Sequence, residues 1–99
     1  MCEFKIIKKN DGAQILEDIV ILSYNENYEL LCKDVLGIGE ILKSTLILNV
    51  NTLNQTCIVL ENPIIQDFLK LVIDINNRTI TKKQIEKFQN QLEEIKADI

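Results

Sequence analysis

The chain has no histidine and no tryptophan, and only one arginine, one proline, three glycines and three cysteines among its 99 residues. Each shortage removes a class of reading. Without histidine, and with three cysteines, a single chain cannot build a closed Cys/His structural zinc site, which takes four such ligands. No serine or cysteine stands beside an evident base, so nucleophilic catalysis has no candidate apparatus and no enzyme is expected. Cys2, Cys32 and Cys57 are odd in number and widely spaced, which suits free thiols in a reducing compartment better than a disulfide framework.

Long apolar runs are also missing. No run approaches the ~18 residues of a membrane span, and no basic segment precedes a shorter apolar one. The sequence therefore reads as a cytoplasmic protein with no membrane partner. Basic charge is scarce where it would matter for nucleic acid. Met1 to Glu61 carries five lysines against nine acids, while Asn62 to Ile99 balances six basic against six acidic groups. A face that grips phosphates through counterion release is basic, so this distribution disfavours nucleic acid.

What is present is apolar bulk: 46% of the residues are hydrophobic, including 17 isoleucines. One chain of this length supports one core, hence one domain. From Cys2 to Lys9, Cys2, Phe4 and Ile6 alternate with Glu3, Lys5 and Ile7, the period of a half-buried strand. Cys2 thus shares the core-facing side, at its rim. Asn10-Asp11-Gly12 supplies a tight hairpin turn, and Gln14 to Leu22 returns as a strand apolar on both faces. Such a strand is buried on both sides or lies in a dimer interface. Ser23 to Asn27 reads as a turn and Tyr28 to Lys33 as a strand. Gly37-Ile38-Gly39 lacks the further glycine or Gly-Lys-Ser of a phosphate loop and reads as a bulge or corner. Glu40 to Leu42, Thr45 to Asn51 and Gln55 to Glu61 complete five to seven short strands.

The pattern changes at Asn62-Pro63, a capping residue before a proline at the first helical position. Ile64, Ile65, Phe68, Leu69, Val72 and Ile75 then form a wide apolar helix face, expected to lie on the β part. Thr81 with Gln84 forms a capping box that opens a second helix. Its apolar residues, Ile85, Phe88, Leu92, Ile95 and Ile99, are spaced alternately by three and four, a narrow seam that needs another helix from the same chain or from a second subunit. The expected fold is mainly β, α+β overall: a small antiparallel β barrel or sandwich (SH3-like) over residues 1–61, with a two-helix hairpin over 62–99 packed on it in a single domain.

Met1-Cys2, the Asp11-Gly12 turn, Glu17-Asp18-Ile19, the Leu36 to Glu40 segment and the Ile47 to Leu60 hairpin together make the chain resemble the CooT-like family of small nickel-binding proteins. The resemblance covers about three-fifths of the chain and leaves out the two helices. It implies a homodimeric small β fold whose Cys2 binds Ni(II), acting as a metallochaperone toward a nickel-enzyme client. Members have also been labelled RNA-binding, an alternative that the acidic β part does not support.

Cys2 has a physical argument of its own. Removal of Met1 would leave an α-amine, a thiolate and a backbone amide within reach of one ion, and mixed N and S donors suit Ni(II) or Cu(II). The competing reading is a small hydrophobe closing the core rim. Cys32 and Cys57 fall mid-strand and read as packed core thiols, while Glu3, Glu17 and Asp18 read as solvating carboxylates. The metal function therefore rests on Cys2, with nickel as cofactor. A metal-free interaction module acting through the Ile85 to Ile99 seam is the alternative from a different class.

Overall fold

The structure, a computed structural model, describes residues 3–99. Among them, strands β1 (Phe4–Lys8), β2 (Gln14–Ile19), β3 (Ile21–Tyr24), β4 (Leu30–Lys33), β5 (Gly39–Leu42), β6 (Thr45–Asn51) and β7 (Thr56–Glu61) precede helices α1 (Ile64–Asn76) and α2 (Lys82–Ala97). The strands form two sheets, ordered β2-β1-β7-β6 and β3-β4-β5. This is the mainly β, two-sheet architecture with a C-terminal helical hairpin that the periodicities predict.

Turn chemistry explains how β1 meets β2. Gly12 adopts φ +76°, its N–H donates to the Lys8 carbonyl at 2.8 Å, and Asp11 Oδ1 accepts from the Ala13 N–H at 3.0 Å. The apolar run that follows, expected as one strand over Gln14 to Leu22, is two strands. Asp18 sits in the left-handed region at φ +59°, which breaks the alternation between Leu16 and Ile19. Leu16 pairs with Ile6 and Ile19 with Phe4, so Ile19 is buried and Leu16 packs on the core although their parity differs. Ile15 and Ile21 remain exposed, which is where the two-faced hydrophobicity goes.

Only Val20 separates β2 from β3, and its N–H donates to Lys33 of β4 at 2.9 Å. That bend carries the chain from one sheet into the other. Ser23 and Tyr24, read from sequence as turn, belong to β3; Tyr28, read as strand, lies in the turn at φ +60°. One pairing departs from the antiparallel expectation: β7 enters between β6 and β1 and runs parallel to β1, from Lys5 opposite Thr56 to Lys8 opposite Val59. Alternation reports a strand's two faces but not its direction.

The core comprises Ile6, Ile19, Leu30, Cys32, Cys57 and Val59, surrounded by Phe4, Leu16, Leu22, Tyr24, Leu42 and Ile47. Residues of both sheets meet here. Tyr24 stitches them with its hydroxyl, which donates to the Thr45 carbonyl at 2.7 Å and accepts from the Ile47 N–H at 3.3 Å. Burial raises the Tyr24 pKa, so the phenol keeps its donor proton at neutral pH. Tyr24→Phe leaves two half-buried backbone groups of β6 without this partner and is expected to cost about 1–2 kcal/mol. A shift in urea midpoint at unchanged slope checks this. No shift would mean that the hydroxyl does not tie the sheets together.

Helix α1 starts as its cap predicts. Pro63 already has helical dihedrals (φ −55°, ψ −25°), and Asn62 Oδ1 accepts from the Ile64 N–H at 3.1 Å. Its apolar face, however, does not lie down on the β part. Ile65 is the one buried residue of α1, and a hydrogen bond from Gln66 Nε2 to the Asn27 carbonyl adds a second tie; Phe68, Val72 and Ile75 are exposed. The helices instead project. The Cα radius of gyration is 15.6 Å, against about 13 Å for a compact chain of this length, and the longest extent is 45 Å.

Candidate interaction surface

The hairpin is built by its turn. Arg78 takes φ +60° after α1, the Thr79 N–H reaches back to the Asp74 carbonyl at 2.9 Å, and the Arg78 N–H reaches the Ile75 carbonyl at 3.2 Å. Thr81 then caps α2, its hydroxyl accepting from the Gln84 N–H at 3.2 Å. The Gln84 side chain does not complete the capping box. It donates across to Asp74 Oδ2 at 2.8 Å, and one turn pair further along Gln91 Nε2 donates to Asp67 Oδ2 at 2.7 Å.

These two bonds fix the antiparallel register, with 74 opposite 84 and 67 opposite 91. The line between the helices is therefore largely polar: Asp67 and Asp74 on α1, Gln84 and Gln91 on α2, with Phe88 between the glutamines, its ring 6.3 Å from that of Phe68. A step of one residue turns each helix by about 100°. Because the helices run antiparallel, that step turns both toward the same side of the seam. The residues one position after the seam on α1 are Phe68, Val72 and Ile75; on α2 they are Ile85, Gln89 and Leu92. Those one position before it include Lys70, Lys83, Lys87 and Asn90.

One side of the hairpin is thus mainly apolar, interrupted by Gln89, and the other mainly polar, with Ile73 its one large apolar residue. On the apolar side Phe68 is 49%, Val72 45%, Ile75 53%, Ile85 39% and Leu92 48% exposed. Ile95, also exposed, continues the seam line of Phe88 toward the start of α1, and Ile99 lies beyond the end of α2. Water-facing apolar rows on two adjacent helices mark a surface for association.

Electrostatics hold the seam closed. Asp74 accepts from Gln84 Nε2, from Lys70 Nζ at 3.0 Å and from Thr79 Oγ1 at 3.2 Å, and these donors, Gln84 first, hold its carboxyl below the usual carboxylate range. A carboxylate with a lowered folded pKa contributes stability at neutral pH that is lost as pH falls through the folded value. Acidification below its ordinary 3.8 is expected to loosen the hairpin turn before the β core, read from the Gln84 side-chain amide resonances. Asp74→Asn should flatten that transition; an unchanged profile would contradict the clasp.

The sequence-predicted metal residues are not brought together. Cys2 lies outside the described residues. Cys32 and Cys57 are fully buried core thiols; burial, then the neighbouring Cys57 and Glu40, pushes Cys32 up to about 11, and burial pushes Cys57 up too. Glu3, Glu17 and Asp18 are exposed. Among the described residues, no three His, Cys, Asp or Glu side chains are grouped to hold one ion. Nor is any helix among them long and apolar enough to cross a membrane.

The hairpin's apolar side was only half visible in the residue pattern. The seam over Ile85 to Ile99 points to a partner helix, but α1 takes only its Phe88 and the flanking glutamines. The heptad spacing of Asp67 with Asp74, and of Gln84 with Gln91, was the signal that each helix turns a polar stripe to the other. No protein-family model matches the chain, and no curated protein is similar to it.

Proposed function

We propose that the chain is a protein-interaction module whose working surface is the apolar side of the helical hairpin. The observation that carries this reading is the half-exposed row of Phe68, Val72, Ile75, Ile85 and Leu92 beside a seam satisfied by its own hydrogen bonds. The two-sheet part positions the hairpin through Ile65 and Gln66 and leaves that row free. A test is photocrosslinking with benzoylphenylalanine placed at position 92 or, on the polar side, at position 87. Protein adducts from 92 and not from 87 support the reading; adducts from neither, or from both alike, reject it.

A second reading follows from the resemblance to the CooT-like nickel proteins. With Cys32 and Cys57 committed to the core, Cys2 is the one thiol left to serve as a ligand, in a homodimer that shares a Ni(II) ion and serves a nickel-enzyme client. An anaerobic Ni(II) titration of reduced protein tests it. Binding near one ion per two chains, lost in Cys2→Ala, supports the nickel role; binding indifferent to Cys2 removes it.

A further inference from the structure

Resting on the interaction-module reading, we propose that the occupant of the hairpin's apolar side is a second copy of this chain. Two hairpins pack face to face across a two-fold axis and close a four-helix bundle, with the two-sheet parts carried outside it.

Spacing, area and charge argue for this occupant. On the apolar side the α1 residues Phe68, Val72 and Ile75 repeat at four and three and the α2 residues Ile85 and Leu92 at seven, the heptad spacing that packs against helices and not against a sheet or an extended peptide. A second hairpin supplies two helices at once, each with its own matching row, and a two-fold interface requires such a self-matching patch. Phe68, Val72, Ile75, Ile85 and Leu92 together expose on the order of 400 Å², close to the apolar share, a little over half, of the ~800 Å² per partner of a stable pairwise interface. A patch smaller than this would suit only a transient contact.

Charge selects this side over the apolar residues exposed on the two-sheet part, which include Leu48 and Val50 on β6. Ile21 and Ile41 on the three-stranded sheet, with Val35, Leu36 and Ile38 in the turn between β4 and β5, are also exposed. All of them belong to the part that carries the whole net charge of −4, so pairing through any of them brings two acidic bodies together. The hairpin part is neutral, six basic against six acidic groups. Doubling it adds no net charge, and the elongated shape keeps the acidic parts of the two chains apart.

The test is sedimentation equilibrium of the full chain in EDTA and reductant, so that neither a metal ion nor a disulfide holds the pair. Wild type is expected to sediment as two 11.4 kDa chains. Leu92→Asp and Val72→Asp, both at half-exposed positions, are expected to sediment as one chain with unchanged far-ultraviolet circular dichroism. Ile41→Asp is expected to leave the pair intact. Dissociation by Ile41→Asp but not by Leu92→Asp would place the interface on the three-stranded sheet and overturn the proposal. A wild-type chain that stays single at millimolar concentration also overturns it. In that case protein adducts from position 92 would show that the surface takes a different partner, whereas their absence would remove the interaction-module reading as well.

Discussion

Gly39→Ala is expected to destabilise the protein by about 3 kcal/mol or more, enough to leave little folded population in a domain of this size. Gly39 stands opposite Lys33 where β5 pairs with β4. A methyl group built on it would fall on the Cys32 carbonyl oxygen, 2.7 Å from the carbonyl carbon and 2.8 Å from the Lys33 Cα. All three atoms are backbone of the central strand of the three-stranded sheet, so relief requires β4 and β5 to part. Cys32 is itself fully buried in the core, which makes that movement a core disruption. Gly37→Ala meets no atom, and its cost is confined to its positive φ of +78°, about 1 kcal/mol. Urea denaturation of the two variants side by side separates crowding from turn strain. Equal midpoints would show that β5 is not held against β4 as described.

Ile6→Ala is expected to cost about 3–4 kcal/mol. Ile6 is fully buried on β1, the strand hydrogen-bonded to β2 on one side and β7 on the other, and it stands opposite Leu16 and Cys57. The truncation opens a cavity where both flanking strands are anchored, so little collapse can fill it. The contrast lies at Leu92, as large an aliphatic side chain but half exposed on the hairpin. Leu92→Ala is expected to change the stability of the single chain by no more than ~0.5 kcal/mol. Comparable losses from the two variants would mean that the hairpin's apolar side is packed inside the chain.

Much of this architecture was legible in the residues. Alternation placed β1 and β7 closely, because those strands keep one face in the core throughout. Alternation also found the span of β6, although Leu48 and Val50 of that strand stay exposed past an irregularity between Ile47 and Asn49. It failed from Gln14 to Leu22, where Asp18 in the left-handed region resets the parity and splits one apparent strand into two belonging to different sheets. Nothing in an aspartate between a glutamate and an isoleucine marks that conformation, which the pairing with β1 imposes. The parallel pairing of β1 with β7 was hidden for the same reason, since partner choice is a tertiary property.

The helices were read correctly as elements and incorrectly as a packed layer. An apolar face on an isolated helix signals burial, but not against what. The sequence pattern of α1 fits a helix lying on the sheet; the structure turns most of that face outward because Asp67 and Asp74 are drawn to Gln91 and Gln84. The candidate site therefore came into view only when the two helices were taken together.

The central claim is that the hairpin projects from the two-sheet part and leaves its apolar side uncovered by its own chain. Small-angle X-ray scattering of the single chain, reached by dilution or with Leu92→Asp, tests it most directly. The account predicts an elongated particle with a radius of gyration near the 15.6 Å of the Cα trace. A value near the ~13 Å of a compact chain of this length would contradict it, because the helices would then lie folded over the sheets with Phe68, Val72 and Leu92 covered.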